Sequence, residues 1–524
     1  MAYATHQRAN RRTQPIGKAI AIAAAVSLAS GFGAGMGVTA LLKASPGSQH
    51  SIATTLNGPG GANTMSYDYT GTYSGALEAD GKKVASDGET TTATQTDQNV
   101  ALAHNGGTLT ITNGKLVKSG DSSNADNCNF YGTNSALLAV GKQSKAVISG
   151  SSITADSSGS NGIFATDSAT VLADHVDIAT SSDNSRGLDA TYGGMIIADD
   201  MTISTKGDHS ASLATDRGGG TVSVTGSTLS TAGSGSPLLY STGDIEVSDV
   251  TGTASGSQIA GMEGLNTILI NRSTLESTNT GTTGSDPVAN GVIIYQSTSG
   301  DADTATGEHA TFQAKDSTLK SVIESGSMFY FTNTTADVVL QNTNLDFDSS
   351  AADLILAAGN DANNWGSAGS NGATVTFTGR SQNLAGKVSA DTISTVTLNL
   401  LEGSSWTGSA EITENSAASG SSSASEAPIS VNVDGTSTWV VTADTTISAL
   451  NVASGGKVVD ASGRTVTIKA GGKTVVSGDS DLTVTVTGSY GASVSAGSDT
   501  KLSSDVADRA AFDKQFGTET AWSF

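Results

Sequence analysis

Gly162-Ile-Phe-Ala-Thr-Asp167, Gly187-Leu-Asp-Ala-Thr-Tyr192, Ser212-Leu-Ala-Thr-Asp-Arg217 and Pro237-Leu-Leu-Tyr-Ser-Thr242 are four versions of one short segment. Their first apolar residues, Ile163, Leu188, Leu213 and Leu238, stand 25 residues apart each time. Val147, Val171, Ile196 and Val222 make a second series at spacings of 24, 25 and 26. Ile153, Ile178, Ile203 and Leu229 make a third, at 25, 25 and 26. Three apolar series sharing one period signal a solenoid, in which each repeat buries its apolar residues against its neighbours. The L-x-x-L-x-L pattern of leucine-rich repeats is absent. Three short strands and three turns fill one triangular coil, so the expected fold is all-β: a three-faced, right-handed parallel β-helix of about 25 residues per coil. Side chains alternate along a strand, which places Ile163, Leu188 and Leu213 inside and Phe164, Asp189 and Ala214 outside.

The pattern extends over most of the chain. Short β-like runs bounded by Gly, Asn, Asp and Ser continue from Tyr67 to Val494. At the usual strand spacing that is about 16 coils, or roughly 75 Å of rod. Residues 67–413 read as the main β-helix, 414–428 as a Ser/Ala-rich loop and 429–503 as C-terminal coils resuming at Trp439. The 36-residue step from Val292 to Met328 predicts a loop bulging out around Gly300 to Glu308. Residues 504–524 carry Val506, Ala510, Phe512 and Phe516 among charges and read as a capping helix on the last coil or as a disordered tail.

The N-terminus has a different grammar. Arg8, Arg11, Arg12 and Lys18 precede an uncharged, mostly apolar run from Ala19 to Leu42. Residues 1–42 therefore read as a signal peptide or a membrane anchor, and 43–66 as a Pro/Gly/Ser/Asn linker. Export to the cell surface is expected either way.

Composition narrows the partners. A net charge of −23 repels phosphate backbones, which argues against nucleic acid. The single cysteine, Cys128, allows no internal disulfide and reads as a small apolar filler. The six histidines stand in unrelated contexts, and the Asp121–Asp126 turn lacks the order of an EF-hand loop, so no metal or cofactor is assigned. Arg217-Gly-Gly-Gly220 runs into a strand and not a helix, which excludes a phosphate-binding loop.

Several runs resemble adhesin-like right-handed β-helix surface proteins of gut and other anaerobic bacteria. They are Asn129-Phe-Tyr-Gly132, Arg186-Gly-Leu-Asp-Ala-Thr-Tyr-Gly-Gly194, HSASLATDRGGG from His209 to Gly220, and Gly235-Ser-Pro-Leu-Leu-Tyr-Ser-Thr-Gly243. Asn290-Gly-Val-Ile-Ile-Tyr-Gln296, Phe329-Tyr-Phe-Thr-Asn-Thr-Thr335 and WGSAGSNG from Trp365 to Gly372 belong to the same set. The segment from Trp439 is similar to the last coils of autotransporter passengers, although no membrane barrel is expected to follow. The resemblance implies fold and export more than activity.

Pectate lyases and polygalacturonases share this architecture, so a glycan-active enzyme is the alternative. The Asn-Thr-Asp, Gly-His-Gly and Arg-Ile-Lys motifs of polygalacturonases are missing, and no catalytic residue is assigned. The expected function is binding to glycans or proteins of host, matrix or neighbouring cells, with a passive surface spacer as a second alternative. Asp189, Tyr192, Asp216, Arg217, Tyr240, Glu263 and Tyr295 form the candidate strip, since positions one period apart stack on one side. Tyr240, two places after Leu238, has the option of pointing inward. An ordinary solvated face is the plain reading of the same residues.

Overall fold

In the computed structural model, residues 65–302, 309–362, 365–418 and 425–524 are described. The N-terminal signal or anchor, nearly all of the linker, residues 303–308 of the expected loop and 419–424 of the Ser/Ala-rich segment lie outside them. Of the described residues 49% are strand and 4% helix. Its strands stack in parallel ladders, the architecture of a β-solenoid. The first face is a ladder of 13 strands from Gly75–Asp80 to Ala410–Thr413. The second and third faces begin at Lys83–Asp87 and Thr90–Ala93. Lys145–Ala155, Thr170–Thr180 and Gly194–Thr205 run unbroken around the corner between them.

Inward residues of all three faces meet in one core. Leu188, Val171 and Ile178 belong to it, with Leu213, Ile196 and Ile203 one coil on. Rung-to-rung pairing joins Ile163, Leu188, Leu213, Leu239, Ala260, Val292, Phe329, Ile355 and Val388. The fourth rung is thus Leu239, not the expected Leu238. The cause is one added residue: the turn Asp216–Gly219 replaces the shorter Thr191–Gly193, and the next pairing runs Gly194 to Gly220. Gly218 and Gly219 make that turn at φ 74° and 61°, a backbone that glycine adopts without steric cost. The second series needs a similar correction. Val171 pairs with Ala146, while Val147 pairs with Leu172 and faces outward.

The corner between the second and third faces repeats a left-handed residue coil after coil. Asn113, His175, Asp200, Asp249, Arg272, Asp316 and Asn342 all have φ between 43° and 59° there. Short polar side chains tolerate this conformation by bonding locally. At another corner, Ser185, Ser210 and Ser236 each accept the backbone N–H of the preceding coil at 2.9–3.0 Å. The period in the sequence is therefore also a period of turn chemistry.

Three short elements break the pattern. Helix α1 (Ala125–Tyr131) was not expected from apolar periodicity, being only seven residues long. Asn124 caps it by accepting from the Asn127 N–H, and Gly132 ends it at φ 73°. The end of the rod carries an antiparallel pair, Thr467–Ala470 with Lys473–Val476. Helix α2 (Ala510–Phe516) does not cap the last coil. The tail runs back along the outside of the second face, and Phe512 packs on Leu172 and Ile197. Apolar residues on an otherwise charged tail are buried wherever an outward apolar pair exists, and this pair lies far from the rod's end.

Truncating a core rung should open a cavity that stacked coils cannot close. Ile203→Ala, at 1% exposure, is expected to lower unfolding free energy by about 2–5 kcal/mol in guanidinium titrations. The exposed Met195→Ala should change it by less than about 0.5 kcal/mol.

Candidate functional site

The outward side of the first face carries the candidate strip, and the stacking brings its members together as their spacing implies. It is not a solvated face. Asp189, Asp216, Glu263, Tyr240 and Tyr295 are each at most 2% exposed, and Tyr192 is 7% exposed. Alternation correctly directs these side chains away from the core, but other segments cover them. Helix α1 lies over one end, residues 65–74 flank it, and loops around Ser297–Ala302 and Trp365 cover the other. Tyr240 pairs with Ala214 and points outward, because the true rung is Leu239.

Under α1 sits an ion network centred on Arg186. Its Nη2 reaches Asp216 Oδ2 at 3.0 Å and its Nη1 reaches Asn129 Oδ1 at 2.8 Å. Asp189 Oδ2 lies 3.5 Å from Nη1. Asp216 Oδ1 accepts the Arg217 N–H, and Arg217 Nε meets Asp301 Oδ1 at 2.5 Å. The Arg217 guanidinium lies 3.7 Å from the centre of the Phe130 ring. Burial pushes the Asp189 and Asp216 carboxyls up, against the pull of Arg186. One buried guanidinium between two buried carboxyls favours holding a proton on one of them.

A second buried group surrounds Glu263. Tyr240 and Tyr295 donate to Oε2 at 3.0 and 3.1 Å, while Ser297 and Ser299 donate to Oε1. Tyr295 also packs on Trp365 at 4.5 Å. Burial again raises the Glu263 carboxyl, with Asp301 adding to the effect. This constellation would suit acid–base chemistry, but its carboxyl is sealed from solvent and has every hydrogen-bond role filled. Cys128 is buried too, and burial pushes its thiol up to about 11, which leaves a poor nucleophile. The Asp121 carboxylate accepts the Ser158 N–H, so that turn is structural. Among the described residues no group of three His, Cys, Asp or Glu side chains is placed to hold a metal.

What is open to solvent lies beside the strip. Half of the chain's ten tyrosines gather at the edge of α1. Tyr131 stacks on Tyr69 at 4.9 Å and on Tyr192 at 5.5 Å, with Tyr67 edge-on to Tyr131 and Tyr192. Tyr67, Tyr69, Tyr73 and Tyr131 are half-buried. The Tyr131 hydroxyl donates to Asp68 at 2.5 Å, and Tyr73 donates to the Tyr131 carbonyl at 2.9 Å. Next to Tyr192 opens a cleft of about 320 Å³, lined by Gly193, Gly218–Gly220 and Gly243 together with Met65, Thr221, Asp244, Leu265 and Asn266. Sequence reasoning passed over Tyr67, Tyr69, Tyr73 and Tyr131, although three tyrosines within seven residues was a visible signal. It also passed over Arg186 as a site residue, since a lone arginine in a turn announces nothing.

No protein-family model matches the chain, and no curated protein matches it either.

Two outcomes check this arrangement. Arg186→Ala should cost about 3–5 kcal/mol in guanidinium unfolding, because it leaves Asp189 and Asp216 buried without their cation. The second concerns pH. Asp286 and Glu246 are held at about 7 by burial, and Asp189, Asp216 and Glu263 are also raised. A carboxyl raised in the fold binds its proton more tightly there than in the unfolded chain. Its stabilising contribution is therefore complete at acid pH and is lost as pH rises from about 4 through about 7. Stability should fall by at least about 2–3 kcal/mol from pH 5 to pH 8, the contribution of one such group, and Glu263→Gln should make the slope shallower.

Proposed function

We propose that the protein is an exported, cell-surface, right-handed β-helix rod that binds glycans through the glycine-rich cleft next to Tyr192 and the tyrosines stacked on that ring. The observation that carries this reading is the pairing of stacked, half-buried tyrosines with a cleft of small-ligand size beside them. A tyrosine ring can offer an apolar face to a sugar. Tyr131 lies between Tyr69 and Tyr192, so it acts by holding Tyr69 at the end of the stack, where a sugar would meet it. At Gly219 a Cβ would meet nothing closer than 3.5 Å, so the backbone there is open to a flat ring. Asp244 and Asn266 line the cleft, ready to accept or donate at hydroxyl positions, and Asp68 sits on the tyrosine group. Right-handedness is the sense that parallel strand connections take in nearly all folds. Export, with retention through Ala19–Leu42, rests on the basic residues and apolar run at the N-terminus. Membership of the adhesin-like β-helix proteins rests on the quoted sequence runs. Binding is favoured over catalysis because the buried carboxyls of the strip have no path to a substrate.

The protein should be probed on a glycan array and its best ligand titrated by calorimetry. Tyr69→Ala with Tyr131→Ala is expected to weaken binding at least tenfold while leaving the melting temperature within a few degrees. Undiminished binding by that variant would move the site elsewhere. An array with no saturable signal would favour a passive surface spacer, and cleavage of an acidic polysaccharide would favour the pectate-lyase-like enzyme.

A further inference from the structure

After the strand Thr483–Gly491 the chain doubles back and lies across the outside of the second face, against the order of the coils. It touches the rod at separate points. Arg380 Nε donates to the Thr500 carbonyl at 2.6 Å. Gln313 bridges the Lys501 carbonyl at 3.1 Å and the Ser503 N–H at 2.6 Å. Glu246 accepts the Ala507 N–H at 2.8 and 3.0 Å. The tail and the face together line clefts of about 770 Å³ and 480 Å³ along this path. No ladder of strand hydrogen bonds joins residues 492–509 to the rod among the described residues.

The last point of contact is different in kind. Arg509 is 2% exposed. Its Nη1 donates to the Ser223 carbonyl and hydroxyl at 3.1 and 3.0 Å, and its Nη2 to the Ala198 carbonyl and Thr225 hydroxyl at 2.9 Å each. Phe512 is fully buried against Leu172 and Ile197, with Phe516 beside it. The tail is also pre-shaped for the site. Asp513 Oδ1 accepts from the Thr518 hydroxyl and from the N–H and hydroxyl of Thr520, and Arg509 Nε donates to the same Thr520 hydroxyl. Residues 509–520 therefore form a small knot that keeps its shape through its own bonds. It fits a complementary socket made of three coils.

We propose that this socket, which holds the chain's own Arg-x-x-Phe-x-x-x-Phe tail here, is the surface by which two copies associate, each taking the tail of the other. Every copy carries both the socket and the plug. Exchange keeps all the plug's contacts and gives up the tether's few bonds to Arg380, Gln313 and Glu246 besides the entropy of linking two rods, which is why such swaps give two-fold pairs at low cost. The tether, residues 492–508, spans up to ~55 Å when extended and so reaches a neighbouring rod. Docking within one chain wins when rods are dilute, and exchange gains as they are crowded on a surface. The net charge of −23 keeps bare rods apart, so raising salt should favour exchange.

Cysteine placement tests this on the full-length protein. One variant carries Ile197→Cys in the socket and another Phe516→Cys in the tail, Cys128 being buried and out of reach. The two are mixed, concentrated and oxidised. A disulfide-linked dimer joining one of each is expected, increasing with protein concentration and suppressed at least tenfold by excess peptide of residues 505–524. A chain carrying both substitutions should close on itself when dilute. If the double variant closes but the mixture gives no dimer at any concentration, tails are not exchanged and the proposal fails. A double variant that does not close overturns the docking geometry itself. Dimer that forms undiminished in the presence of the peptide reflects random collision and also overturns it.

Discussion

Each coil leaves a row of backbone N–H and C=O groups along both its edges, and only another coil about 4.8 Å away satisfies them. That requirement governs the whole rod. It demands that inward positions recur in register, since a one-residue slip along a strand would turn its apolar side chains outward. It also confines every change of length to the corners. The added residue of Asp216–Gly219 is absorbed in the turn, and the ladder resumes in register at Gly220. The left-handed Asn, Asp and His residues at one corner, and the serine ladder at another, are what such stacking requires where strands end.

The first face adds a second layer. Its outward side carries a buried region of its own, with Arg186 and Glu263 as two polar centres and Trp365, Tyr295 and Tyr240 as apolar material around them. Both centres draw on side chains from different coils. Arg186 and Asp216 come from successive coils, and Glu263 takes bonds from Tyr240 and Tyr295 on either side. The network thus fastens coils to one another beyond the backbone ladder, and fastens α1 and the covering loops to the rod. What remains at the rim, the stacked tyrosines and the glycine-rich cleft, is positioned by that buried layer. Thr191 Oγ1, for example, donates to the Phe130 carbonyl and helps hold α1 above the coils.

The tail supplies long-range connection in a molecule otherwise built from neighbour contacts. A solenoid's stability is close to a sum over adjacent repeats. A segment that touches Arg380 at one point and Leu172 at another ties distant coils into one unit.

Sequence alone determined the period, the third apolar series in full, most members of the other two and the all-β architecture, because a ladder repeats the same demand every 25 residues and the demand is met by residue type. It also determined which side chains point out of the core: Asp189, Asp216 and Tyr295 do so. Whether outward means exposed was decided only in three dimensions. The cover comes from segments with no period, such as Asn129 on Arg186 from 57 residues away and Arg509 on Ala198 from 311. Nothing in local pattern records such meetings. The exchange of Leu238 for Leu239 as the rung has the same origin, since two adjacent leucines satisfy the apolar pattern equally and only the backbone pairing chooses between them.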